Sequence, residues 1–166
     1  MYNENDYVIY KKDVCRVKQI KENKENGKKY YILSPINDKS LSIETPADNS
    51  LGYIRDIMKK EKALEWINMI PKIDPIDLND EKKVEKIYKE LLQKGTPEDL
   101  IKIIKTTYLR NENRLKNKKK KNEKDDLFFN LAETYLYTEI GIALGMSFDE
   151  TKQFIINRIQ KLLEEK

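Results

Sequence analysis

The sequence predicts an α+β fold in two parts, a small β module followed by an all-α bundle of about five helices. Three observations carry that expectation. Strand-type alternation is confined to the segment before Leu51, helical periodicity takes over after it, and turn or cap residues stand at each change of pattern. A chain of 166 residues can form one domain or two small ones. The change of period sets the expected division at residues 1–52 and 53–166.

The β elements come first. Tyr7, Val8, Ile9 and Tyr10 make a short strand, Val14 to Ile20 alternate in a second, Tyr30 to Ile36 form a third and Leu41 to Thr45 a fourth. Asn26-Gly27 is a hairpin signal because both residues tolerate positive φ, and Asn37-Asp38 marks another turn. Short strands in close succession with no helix between them point to an SH3-like or Tudor-like barrel. Such a barrel leaves a strand edge open, and an open edge can take a strand from a partner.

The helices follow in order. Ala63, Ile67 and Ile70 share one face of a helix from Lys60 to Ile70, which Pro71 stops; Trp66 lies beside them and reads as a packing residue rather than an aromatic wedge. After a connector from Ile73 to Leu78, Val84, Ile87, Tyr88, Leu91 and Leu92 form the stripe of a second helix from Asp80 to Lys94, with Gly95 as its C′ residue. Thr96 is placed as the N-cap of a third, Pro97 at its first position and Asp99 at its third. Leu100, Ile103, Ile104, Thr107 and Tyr108 are its apolar stripe, and its basic end runs on to Lys124. A fourth helix starts at Asp125 or Asp126 and ends at Gly145. Ser147 and Glu150 form the capping box of a fifth that carries Phe154, Ile155, Ile159 and Leu162. Tyr88, Tyr108 and Tyr135 are expected in the core.

Charge is unevenly distributed. The net charge is +4, yet residues 96–124 hold ten basic against four acidic side chains, whereas 125–166 hold four against eight. Lys102, Lys105, Arg110 and Arg114 lie off the apolar stripe, and Lys116, Lys118, Lys119, Lys120, Lys121 and Lys124 follow. A localised basic segment on a nearly neutral body reads as a docking surface for phosphate. Lysine neutralises backbone phosphate without reading bases, so weak sequence selectivity and steep salt dependence are expected.

Composition argues against several other functions. The single Cys15 excludes an intramolecular disulfide and sits in an alternating strand, as a buried hydrophobe would; the absence of histidine removes the usual zinc ligands and triad bases. The adjacent Asp125 and Asp126 do not face a common point and read as first-turn carboxylates. No catalytic residues, metal or cofactor are therefore expected. There is no apolar run of membrane-spanning length and no signal-peptide pattern at the start, so a cytoplasmic monomer without membrane contact is the expectation.

In sequence order, several short stretches resemble the CarD/CdnL family of bacterial transcription regulators. Asp6-Tyr7-Val8-Ile9-Tyr10 looks like the family's G-D-x-V-V-Y opening. Thr45-Pro46-Ala47-Asp48-Asn49 is similar to its V-P-x-D/E-N stretch, with Ile54-Arg55-Asp56-Ile57 following in register. Leu91-Leu92-Gln93-Lys94-Gly95 looks like its L-x-x-G-D turn, with Thr96 in the aspartate's place, and Ala143-Leu144-Gly145-Met146 resembles its A-L-G-I/M ending. The resemblance implies a non-enzymatic accessory factor of RNA polymerase. Its β module would add an edge strand, here Leu41, Ser42, Ile43, Glu44 and Thr45, to the protrusion or lobe of the β subunit. Its helical domain would meet promoter DNA through Lys82, Lys83 and Lys86 together with Arg114, Lys116, Lys118 to Lys121 and Lys124. Many relatives carry a wedge tryptophan before the second helix, but none occurs here between Pro71 and Gly95, so contact through the phosphate backbone alone is expected. The alternative is a protein-binding adaptor that never touches DNA.

Overall fold

In the computed structural model, which describes residues 1–165, the chain divides into two compact units, Met1–Ile57 and Met58 onward. The first is one antiparallel sheet of β1 (Tyr7–Tyr10), β2 (Asp13–Glu22), β3 (Lys29–Pro35), β4 (Ile43–Pro46) and β5 (Ile54–Asp56). Its strand order is β4-β3-β2-β1-β5. The chain thus meanders through four strands and then returns to pair Ile54–Asp56 with β1. Three residues are too few to show alternation, so β5 is a strand that only its partner reveals, and the sheet runs past the boundary expected at residue 52.

Alternation elsewhere is realised: Val8, Cys15, Val17, Tyr31, Leu33 and Ile54 point to one face and form the core of this unit. Burial also pushes the Cys15 thiol up to about 12, which keeps it protonated and unreactive at neutral pH. A bulge between Val17 and Gln19 interrupts the register with β3 and bends the long β2, as one extra residue in a strand does. In the β2–β3 loop only Gly27 of the Asn26-Gly27 pair takes a left-handed φ, +70°. The loop is longer than a two-residue turn and closes with the Asn23 N–H donating to the Lys28 carbonyl at 2.8 Å. Between β4 and β5, Asn49 behaves as a piece of strand. Its Oδ1 accepts the Ile54 N–H at 3.0 Å and its Nδ2 donates to the Ile54 carbonyl at 2.9 Å, which satisfies the backbone of the first residue of β5.

The second unit holds α1 (Lys60–Met69), α2 (Val84–Lys94), α3 (Pro97–Lys116), α4 (Glu123–Leu144) and α5 (Phe148–Glu164), with 3-10 turns at Ile70–Lys72 and Glu81–Lys83. Helix α4 is apolar on most sides, and Phe128, Ala132, Leu136 and Ile140 place it in the centre of the core with Ile67, Tyr88, Ile101, Ile103 and Ile155 around it. The caps are those the residue types announce. The Thr96 hydroxyl accepts from the Asp99 N–H, Ser147 and Glu150 form a capping box, and Gly95 and Gly145 end their helices in the left-handed region. Trp66 packs partly buried against the core.

Two side chains depart from their expected places. Tyr108 is 54% exposed and donates to Glu112 at 3.2 Å; Ile101 and Thr106 are buried instead, so the stripe is rotated slightly from the one drawn through Tyr108. Lys105 does not face a ligand. Its Nζ donates to the carbonyls of Ile70 and Ile73 at 2.8 and 2.5 Å, and the neighbouring Thr106 hydroxyl accepts the Ile76 N–H at 2.8 Å. Together they hold the irregular connector after Pro71, whose backbone groups lack helical partners.

Candidate functional site

The basic end of the helical unit is organised by a buried carboxylate. Asp125 is 1% exposed and accepts from the Tyr88 hydroxyl at 2.9 Å, Arg110 Nε at 3.0 Å and Arg114 Nη1 at 2.5 Å. It thereby ties α2, α3 and α4 together at one point. Burial alone would raise its pKa, but the hydrogen bonds from Arg114, Arg110 and Tyr88 outweigh that effect and hold the carboxyl below its ordinary value. The same environment pushes the Tyr88 phenol up, mainly through burial and then through Asp125. A second layer supports the first. Asn111 Oδ1 accepts from Arg114 at 2.8 Å and from the Asn122 N–H at 3.2 Å, while its Nδ2 donates to Asp126 at 2.9 Å. Asn122 in turn caps α4 by accepting the Asp125 N–H at 3.1 Å.

This knot fixes both ends of the lysine loop. Helix α3 stops at Lys116 because the Lys118 and Lys119 N–H groups turn back to the Leu115 and Arg114 carbonyls at 3.1 and 2.8 Å. That is a Schellman closure, and it sets Lys118 in the left-handed region at φ +56°. The lysine run is therefore a short loop between two capped helices rather than a helical extension to Lys124. Lys116, Lys118, Lys119, Lys120 and Lys121 are all exposed. Lys82, Lys83 and Lys86, at the start of α2, are exposed as well. Arg110 reaches Glu81 at 2.9 Å and Lys124 reaches Glu85 at 3.0 Å, so the start of α2 and the lysine loop lie at the same end of this unit.

Within that set, two of the residues expected to meet phosphate are engaged inside the chain. Arg114 serves Asp125, and Lys124 pairs with Glu85, whose carboxyl is held below its ordinary value first by Lys124 and then by Lys89. Such an exposed pair contributes little, so Lys124 can exchange its partner. Arg114, bonded to a buried charge, cannot.

Beside the knot lies a cleft of about 210 Å³ lined by Glu81, Arg110, Asn113, Arg114, Asn117 and Lys119. The sequence reading missed it. The signal was the choice of arginine: five of the 33 basic residues are arginines, and Arg110 and Arg114 stand one helical turn apart, where a rigid planar fork rather than a point charge is required.

In the β unit, the expected polymerase-facing stretch divides in two. Ile43, Glu44 and Thr45 lie in β4, whereas Leu41 and Ser42 precede it in an exposed irregular stretch. Strand β4 stands at the margin of the sheet, with β3 on one side and, among the described residues, no strand on the other. The Ala47 N–H donates to the Lys29 carbonyl at 3.0 Å, so by alternation the Thr45 and Ile43 backbones also face β3, and that of Glu44 faces outward.

No protein-family model matches the sequence, and no curated protein is significantly similar to it.

Proposed function

We propose that this protein is an accessory factor of bacterial transcription in the manner of the CarD/CdnL regulators it resembles. Its sheet margin at β4 takes a strand of the RNA polymerase β subunit, and the basic end of its helical unit rests on promoter DNA phosphates. The observation that carries the reading is the open outer margin of β4 in a sheet where β5 returns to β1, which supports an SH3-like or Tudor-like module. The exposed carboxylate of Glu44 suits a partner strand with basic side chains.

Nine exposed lysines lie at the α2 start and the α3–α4 loop, and their role fits the tethered geometry. A weak phosphate contact becomes effective once polymerase holds the chain nearby, because the effective concentration of a short-tethered site reaches about millimolar. With no tryptophan between Pro71 and Gly95 to act as a wedge, the contact is electrostatic and indifferent to sequence.

The test is capture of the isolated β-subunit lobe by the full chain and by its Glu44→Pro variant. Proline removes the outward N–H and obstructs strand addition while sparing the bonds to β3. The intact chain should retain the lobe, and the variant should lose at least about tenfold in affinity, which corresponds to roughly 1.4 kcal/mol. Equal capture by a folded variant would remove the β4 margin from the account.

One observation favours the adaptor reading. Arg114 and Lys124 satisfy carboxylates of this chain, which leaves fewer free cations than the composition suggests. Polymerase capture with no salt-dependent DNA affinity would establish that alternative.

A further inference from the structure

We infer that the cleft between the Glu81–Lys83 turn and the C-terminal end of α3 is a seat for one terminal phosphate group, and that Glu81 occupies this seat in the unliganded chain. The inference deepens the nucleic-acid reading and shares Lys119 with the lysine loop and Arg114 with the basic segment, but its centre is Arg110 and Glu81, which that reading does not use.

The walls of the cleft are polar and built. Arg110 and Arg114 are each 19% exposed and anchored by the buried Asp125 at 3.0 and 2.5 Å. Their guanidinium planes are therefore fixed before any ligand arrives, and the ordering cost is already met by folding. Arg114 makes its two hydrogen bonds, to Asn111 and Asp125, through Nη1. Asn113, Asn117 and Lys119 complete the rim, and the α3 closure that turns the Lys119 N–H back to the Arg114 carbonyl holds Lys119 beside it.

An anion is already present. Both carboxylate oxygens of Glu81 accept from Arg110 Nη2, at 2.9 and 3.0 Å. Yet Glu81 is 75% exposed and sits on a single 3-10 turn. An exposed ion pair of this kind contributes little and exchanges readily. It marks where an anion sits on Arg110 without holding the place firmly.

Charge and size define the ligand. With Glu81 turned out to solvent, Arg110, Arg114 and Lys119 face the cleft against the one carboxylate of Asp125, which leaves two positive charges on its walls. That balance matches a phosphate monoester dianion and exceeds what a single diester linkage carries. The volume of about 210 Å³ is below the roughly 300–1,000 Å³ of pockets for drug-sized molecules. The seat takes a phosphoryl group and leaves the nucleoside outside. A 5′-phosphorylated strand end and free inorganic phosphate share this chemistry.

The experiment titrates the full chain with inorganic phosphate, and with a short single-stranded oligonucleotide in 5′-phosphorylated and dephosphorylated forms. Glu81→Gln removes the competing charge at an exposed position and should tighten phosphate binding about three- to tenfold. Lys119→Ala should weaken it by a similar factor. The phosphorylated oligonucleotide should bind more tightly than its dephosphorylated twin, and the preference should widen in Glu81→Gln. Binding of inorganic phosphate without that preference would assign the seat to the free ion. A folded Glu81→Gln chain whose phosphate affinity is unchanged would overturn the inference. Duplex binding that persists in that case would leave the lysine-loop reading intact, whereas phosphate binding without duplex binding would sink the lysine-loop reading alone.

Discussion

Replacing Asp125 with alanine should destabilise the helical unit by about 3–5 kcal/mol, the range observed when one partner is removed from a buried ion pair. Three donors lose their acceptor at once: the Tyr88 hydroxyl, Arg110 Nε and Arg114 Nη1. Two guanidiniums are left in a partly buried site with only the exposed Glu81 carboxylate, on Arg110, as counter-charge. Thermal unfolding should show a midpoint lower by at least about 10 °C. The loop that carries the lysines should also loosen, because Asp125 anchors Arg114, whose carbonyl closes the end of α3.

The same carboxylate makes a pH prediction. Its pKa is depressed in the folded chain, so its contribution is fully present above the unfolded value of about 3.9 and is lost as pH falls through the lower folded value. The intact chain should lose stability through that acid window. The Asp125→Ala chain should lack this component, which chemical denaturation at a series of acid pH values would detect.

The second large effect concerns Lys118, Lys119, Lys120 and Lys121. Changing all four to alanine should weaken duplex binding on every sequence and flatten the salt dependence. Each phosphate contact contributes about 0.9 to the slope of log affinity against log salt, so the slope should fall by up to about 3 to 4. The fold should survive, because all four side chains are exposed and none of them takes part in the Asp125 knot. An unchanged slope would take the loop out of the mechanism.

What the sequence made legible was local. Gly95, Thr96, Gly145, Ser147 and Glu150 each announce a helix end through the chemistry of orphan N–H and C=O groups, and each is found in that role. The β alternation was legible for the same reason, since one face of every strand must be buried. The end of α3 was not. Lysine is a good helix former, so nothing in Lys118–Lys121 marks a turn, and the closure goes with Asn117 bonding back to Asn113 and Asn111 meeting Asn122 across the loop. Asp125 escaped because its partners lie 11, 15 and 37 residues away, beyond any local pattern. A carboxylate in a first helical turn has an adequate explanation in the helix dipole alone, and that explanation concealed the ion-pair centre. Strand β5 escaped because pairing, not composition, makes three residues a strand.

The claim at the centre of this account is that one chain grips polymerase with β4 and thereby brings the lysine loop onto duplex DNA. Cross-linking from position 120, in an assembly of the full chain with RNA polymerase and promoter DNA, tests it most directly. The account predicts cross-links to the duplex upstream of the melted region, and their loss in the Glu44→Pro chain even where that chain still binds free DNA. Cross-links that persist in Glu44→Pro, or their absence from the intact chain while polymerase is bound, would contradict it.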